Sequence, residues 1–271
     1  MNPSYAFIYD DFLTDPRYGD AVAALETRLA TLGLSGQIGR LTLFRSAKEL
    51  VEHHVHQGAK TIVLVGNDNT LNKVMWFLPD LPVILGYLPV AEPTDIATLL
   101  GIPPGLPACD TLGARLIETL DMGKLGDRYF LTEAVFERTR AKLAMDDAFT
   151  LSLPRGGDMA LRNLGGVSRL GQSMANARDG LLEAVLVPNR EQPLSTRILK
   201  RLSLGEDNET HVFFKSGTIA SDSPIEGHAD LFAVSGFEFK VSVVPNKLRV
   251  IMGRGRRVGV LGNNQNNPNH Q

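Results

Sequence analysis

The stretch "TIVLVGNDNTLNKV" (61–74) is where residue types and order come nearest to chemistry. An apolar, β-branched run stops at Gly66. Four polar residues follow, Asn67, Asp68, Asn69 and Thr70, and a helical pattern opens at Leu71. A strand that hands over to a helix in this way aims backbone N–H groups outward, and the helix N-terminus adds a partial positive charge that favours a phosphate. Loops of that kind usually hold several glycines, and this one holds one. Asparagine tolerates positive φ better than most residues, so Asn67 and Asn69 are expected to take glycine-like geometry. The same residues also read as a plain turn, with Thr70 or Asn69 capping the helix. His53, His54 and His56 share a helix-like segment without the i, i+4 spacing of a helical zinc pair, and are expected at the surface. Cys109 is the single cysteine, which excludes an internal disulfide framework and a multi-cysteine zinc site.

Stepping outward from the loop, the first part of the chain alternates strand-like and helix-like segments. Tyr5–Asp10, 37–44, 61–65 and 82–89 read as strands, several of them nearly all apolar. Asp20–Leu32 has apolar residues at helical spacing and ends at Gly33, a C-cap. Ser46–Gln57 reads as a helix with Ser46 and Glu49 as a capping box, and 71–78 as another. Apolar strands alternating with helices point to a parallel sheet covered on both faces. After about residue 122 the texture changes. The segments 128–136, 147–154, 181–188, 210–221, 237–245 and 247–253 are strand-like and close together, which predicts an antiparallel, β-rich half. Only 194–204 in that half reads as helix. Asp179-Gly180 is a turn pair ahead of the strand at 181–187.

The chain has 271 residues, enough for a large domain or two modest ones, with 43% apolar and 21% charged residues. A net charge of −2 argues against a bulk electrostatic grip on nucleic acid. No window reaches the roughly 18 apolar residues of a membrane span, and no signal peptide is evident, so a cytoplasmic protein is expected.

Further stretches stand in order with 66–74: "PVAEPTDIATLLGIP" (89–103), "DMGKLGDRYFLT" (121–132), "GGVSRLGQSMANARDGLLEAVLVP" (165–188), "SPIEGHADLF" (223–232) and "VVPNKLRVIM" (243–252). Together they resemble the superfamily of diacylglycerol kinases, sphingosine kinases and bacterial lipid kinases, colinearly from about Tyr5 to Met252. That family has Gly-Gly-Asp-Gly-Thr followed by Leu-Asn-Glu-Val. Gly66, Asp68, Thr70, Leu71, Asn72 and Val74 match it, whereas Asn67, Asn69 and Lys73 depart. Its second loop, Pro-Leu-Gly-Thr-Gly-Asn-Asp, survives here at Pro89 and Asp95, with Ala91-Glu92-Pro93 in place of the glycine-threonine-glycine core. NAD kinase, with a similar first loop, is a weaker match because its later Asn-Glu motif is missing.

The resemblance implies an α/β N-terminal domain with a parallel sheet (1–122), a β-rich, sandwich-like domain (123–255), a nucleotide cleft between them, and a disordered tail (256–271). It implies ATP and Mg²⁺ as cofactors. Gly66, Asn67, Asp68, Asn69, Thr70, Asn72, Glu92 and Asp95 would hold the nucleotide, and Asp121 and Asp179 would lie near the metal. Glu226-Gly227-His228 would fall on the family's catalytic Asp-Gly-Glu, with His228 standing where the family has its proposed base; without the resemblance, Gly227 reads as a turn with a loop histidine beside it. Several departures work against phosphoryl transfer. Glu92 sets a negative charge toward phosphate, Pro93 lacks an N–H, and Asp10 and Asp11 add charge at the rim. Lys73 reads as a solvated residue, as a partner of Glu92, or as a phosphate contact. The expectation is a lipid-kinase-like protein with weak or no phosphoryl transfer, a pseudokinase-type binder or scaffold; the alternative is a drifted but active ATP- and Mg²⁺-dependent lipid kinase. A lipid or other small molecule is the expected ligand. Homodimer formation, and membrane contact through the cationic run at 253–257, stay open as further partner modes, and no nucleic acid is expected.

Overall fold

The computed structural model describes residues 4–42, 46–145, 149–165, 173–189 and 209–256. The expected helix at 194–204 and the tail from 257 onward lie outside the described residues. Strands β1 (Tyr5–Tyr9), β3 (Thr61–Gly66) and β4 (Ile84–Pro89) are buried along their whole length, as their unbroken apolar runs require. With β2 (Gly36–Arg40) at the edge they form a parallel sheet in the order β2-β1-β3-β4. Helices α1 (Gly19–Thr31), α2 (Ala47–His56), α3 (Asp68–Met75), α4 (Asp95–Leu99) and α5 (Pro107–Ala114) accompany these strands. Gly33 ends α1 as expected: at φ 68° it lets Leu34 N–H reach back to the Leu29 carbonyl at 2.9 Å. No described helix is long and apolar enough to cross a membrane.

The second part is strand-rich and mostly antiparallel. It comprises β5 (Ile117–Leu125), β6 (Arg128–Phe130), β7 (Glu133–Thr139), β8 (Lys142–Met145), β9 (Phe149–Ser152), β10 (Gly157–Arg162), β11 (Leu182–Pro188), β12 (Thr210–Phe214), β13 (Ser216–Ala229) and β14 (Phe232–Ile251). Strands β12-β11-β10-β7-β13-β14 pair in that order, and β14 joins the parallel sheet where Val250 lies beside Leu85 of β4. Strand β5 runs antiparallel to β14. One apolar cluster is built on β1, β3, β4 and the helices, and takes in Leu120, Met122, Leu248 and Val250. A second, with Phe136, Leu161, Phe214 and Ile219, fills the antiparallel part.

Several boundaries differ from the sequence reading, each for a local reason. Helix α3 begins at Asp68 rather than Leu71, because its polar first turn is helical and capped from Asn67. Ser46 does precede α2, but its side chain makes no capping bond, so the box with Glu49 does not form. His54 is buried, its Nδ1 2.7 Å from Gln37 Oε1, against the surface position expected of it. Its ring fits because Gly39 has no Cβ; one placed there would lie 2.7 Å from His54 Nε2. The segments 237–245 and 247–253 belong to one strand, β14, bulged at Asn246 (φ 53°). Glu226, Gly227 and His228 lie within β13 rather than in a turn; the turn falls after Ala229.

The expected strand 128–136 is broken between β6 and β7 by Asp230. This buried carboxylate accepts from the N–H groups of Leu131 (2.7 Å), Thr132 (2.8 Å) and Glu133 (3.3 Å), and from the Thr132 hydroxyl. Asp230→Ala should therefore orphan several buried donors and destabilise the protein by about 1–3 kcal/mol. Asp230→Asn, which keeps one acceptor oxygen, should lose less; equal losses in urea-melt midpoints for the two variants would contradict the assignment.

Candidate functional site

Strands β3 and β4 are parallel neighbours with Gly66 opposite Pro89, so the loops that follow them emerge side by side at the C-terminal edge of the sheet. Ligand crevices of open α/β sheets form at such edges. The loops 66–70 and 91–95 are tied together at several points. Asp68 N–H donates to the Pro93 carbonyl at 2.9 Å, and Asn67 Nδ2 to the Glu92 carbonyl at 2.9 Å. Asp68 Oδ2 accepts from Ile96 N–H at 3.0 Å, and Oδ1 from the Tyr87 hydroxyl at 3.1 Å. Thr94, at the N-cap of α4, makes no side-chain capping bond. Asp68 caps α4 from the neighbouring loop.

The first loop is also closed on itself. Asn67 is extended (φ −142°), not left-handed as the sequence suggested, and it is the N-cap of α3. Its side-chain oxygen accepts from Thr70 N–H at 3.3 Å, and Thr70 Oγ1 accepts from Asn67 N–H at 3.0 Å. Thr70 is thus the reciprocal member of a capping pair and not the cap itself. The threonine folds back so far that a Cβ on residue 66 would lie 2.1 Å from Thr70 Oγ1. Gly66 is required by that intramolecular contact. Among the described residues of α3, the buried Nδ2 of Asn72 has no hydrogen-bond partner.

Charge around the loop is negative and internally answered. Asp10, only 1% exposed, accepts from the Thr70 hydroxyl at 2.5 Å and from Lys73 Nζ at 2.6 Å; Lys73 also reaches Asp11 at 3.0 Å. Lys73 is therefore neither solvated alone nor paired with Glu92. Glu92 is exposed, and its carboxylate takes the Thr94 hydroxyl at 3.1 Å. Burial, followed by the hydrogen bond to Asp11, pushes Asp10 above the usual carboxylate range against the pull of Lys73 and Thr70. The hydrogen bond with Asp10, then that with Lys73, brings Asp11 down to about 2. Burial likewise raises Asp68, and burial next to Asp68 raises the Tyr87 phenol.

The residues expected near a metal are engaged with backbone. Asp121 is buried; its two oxygens accept from Gly180 N–H and Asn246 N–H, both at 2.8 Å. Asp179 forms the expected turn, accepting from Leu181 N–H at 2.9 Å, and burial and then the nearby Asp121 charge raise its pKa. The described residues hold no cluster of three or more His, Cys, Asp or Glu able to bind a metal ion. His228 pairs with Val135 of β7 and Ala233 of β14, and lines an opening with Glu226 that includes no residue of 66–70 or 91–95. Arg256, in the cationic run, is paired with Glu118 at 2.7 Å. Tyr87 and Asp230 were not singled out from the sequence. A tyrosine inside an otherwise apolar buried strand was the available signal for the first; the second reads as an ordinary turn residue.

No protein-family model matches the chain, and no curated protein matches it. Solved structures do. A diacylglycerol kinase from Bacillus anthracis str. Sterne superposes with a TM-score of 0.75 at 15% identity, over 93% of this chain and 97% of that one. The chain has the diacylglycerol kinase fold. A provisionally named diacylglycerol kinase from the same bacterium gives 0.75 at 15% identity over 93% and 96% of the two chains, and another structure so named gives 0.70 at 14% identity over 93% and 97%. Within that fold, the parallel α/β part carries the paired loops and the strand-rich part carries Asp121, Asp179 and His228.

Two measurements test this geometry. If Gly66 is dictated by Thr70, Gly66→Ala should cost about 1–3 kcal/mol by overpacking, and markedly less in a Thr70→Ala background; the same loss in both backgrounds would refute the contact. The second is pH dependence. An aspartate lowered from 3.8 to about 2 stabilises the fold fully above 3.8 and loses that contribution as pH falls toward 2. Asp11→Asn should flatten the stability curve in that window, while Asp10, raised instead of lowered, acts on the other side of 3.8.

Proposed function

We propose that this protein is a diacylglycerol-kinase-fold binder or scaffold for a lipid or other small molecule, with phosphoryl transfer weak or absent. The supporting observation is the closure of the loop pair. A phosphate cradle needs outward N–H groups at the helix N-terminus. Here Asn67, Asp68 and Thr70 give theirs to Thr70 Oγ1, the Pro93 carbonyl and the Asn67 side chain. What remains without a partner is the buried Asn72 Nδ2, and the carboxylates of Asp10 and Asp11 stand at the loop, bonded to Thr70 and Lys73.

Phosphoryl transfer depends on positioning and on neutralising charge on the transferred group. ATP with Mg²⁺ would supply the phosphoryl donor and that neutralisation. The residues present fit the pair poorly: the described residues hold no cluster of three or more His, Cys, Asp or Glu for a metal, and both oxygens of Asp68 and of Asp121 already accept hydrogen bonds within the protein. Lys73, on α3, already serves Asp10 and Asp11. This chain's own chemistry at the loops is therefore structural: the carboxylates cap, and the lysine neutralises.

Calorimetric titration with ATP, with and without Mg²⁺, should give no saturable heat, and incubation with MgATP and diacylglycerol should give only slight product. Robust lipid phosphorylation that His228→Ala abolishes would overturn this reading in favour of the drifted kinase.

A further inference from the structure

A second site emerges where the antiparallel sheet comes apart. Strand β13 pairs with β7 at His228 opposite Val135 and Ala229 opposite Ala134. It pairs again with the same chain run at β8, from Ala220 opposite Lys142 to Gly217 opposite Met145. Between those points, 136–141 and 221–227 are not paired with each other. Each flank is held from outside: β7 by β10, with Phe136 opposite Met159, and β13 by β14, with Glu226 opposite Ser235. The result is an opening in the sheet of about 770 Å³, lined by Glu137, Arg138, Arg140, Ser223, Glu226 and His228 among others.

Its walls have the marks of a ligand site. Ladder hydrogen bonds are given up along both flanks, an irregularity that sheets place beside functional sites. Arg138 has φ 50°, rare for a long side chain, and is held there by its N–H donating to Asp158 Oδ1 at 2.7 Å. Such conformations gather at ligand clamps. Arg138 and Arg140 are both exposed and form no ion pair among the described residues. Gly227 keeps the closed end tight, since a Cβ there would lie 2.2 Å from the Val135 carbonyl oxygen.

We propose that this opening binds a small phosphate monoester that also carries hydroxyl or ammonium donors, with Arg138 and Arg140 gripping the phosphate. Guanidinium groups match phosphate oxygens in forked geometry. Glu137 and Glu226 offset the two arginines, so a bare polyanion is disfavoured and a ligand with donors beside its phosphate is favoured. The volume lies within the range of small-molecule sites, and the polar lining suits a head group better than an acyl chain. The proposal does not depend on the nucleotide loops.

The test uses the full chain. Calorimetry with glycerol 3-phosphate, phosphoethanolamine and inorganic phosphate covers soluble sources, and co-sedimentation with phosphatidylcholine vesicles with and without phosphatidic acid covers a lipid head group. Expected is saturable binding of a monoester, soluble or vesicle-borne, that weakens at least tenfold in Arg138→Gln/Arg140→Gln and is unchanged in Lys48→Gln, a surface change on α2. Ser223→Glu, an exposed rim change that adds a repelling charge, should weaken it to a similar degree and gives the reading if the double variant does not fold. The proposal is overturned if no probe binds the intact protein, or if binding survives these changes in folded variants.

Discussion

The loop pair rests on a single buried carboxylate. Helix α4 has five residues, too few to persist on its own in water, and the N–H groups of its first turn need acceptors. Asp68 supplies one from the neighbouring loop, takes the Tyr87 hydroxyl with its other oxygen, and gives its own N–H to the Pro93 carbonyl. Three bonds from one residue fix the spacing of the two loops, the start of α4 and the tyrosine beneath them. A carboxyl group as buried as this must be hydrogen-bonded or it would not be tolerated. Its satisfaction and the loop geometry are therefore the same constraint.

The same device recurs in the strand-rich part. Asp121 clasps the bulge of β14 and the Gly180 turn, and Asp230 gathers the N–H groups between β6 and β7. Asn163 links the two sites, its side-chain amide donating to the Asp121 and Leu131 carbonyls. Beyond it, the strand register puts Glu133, Arg162 and Glu183 in one buried row across β7, β10 and β11, with His211 2.8 Å from Glu183. Buried ion pairs of this kind are weak contributors to net stability but severe when broken. They specify which strands meet, in a region whose apolar pattern alone would accept a shift of register.

Much of the fold was legible because it is local. Unbroken apolar runs marked β1, β3 and β4, and Gly33 marked the end of α1. What escaped depends on partners remote in sequence. The first turn of α3 read as loop because Asp68, Asn69 and Thr70 are poor helix formers; they are good first-turn residues once Asn67 is the cap. The cap of α4 comes from Asp68 and the partner of Lys73 from Asp10, neither deducible from spacing. Gly227 disguised strand residues as a turn, since nothing in the sequence tells that its missing Cβ makes room for the Val135 carbonyl of the neighbouring strand.

The candidate site shows how a sequence motif can keep its residues and change their work. Gly66, Asp68 and Thr70 match a phosphate-loop pattern position by position, yet each has a protein partner that accounts for it. The glycine admits the threonine hydroxyl, the aspartate caps α4, and the threonine closes the α3 capping pair and bonds Asp10. The two asparagines that replace glycines act in the same direction. Asn67 fills with an amide the space a glycine would leave open, and spends that amide on Thr70 and on the Glu92 carbonyl. A ligand entering here must displace bonds already made within the protein, whereas in the opening between β7 and β13 Arg138 and Arg140 have no ion-pair partner among the described residues. Unmet bonding capacity, more than motif likeness, distinguishes the two places.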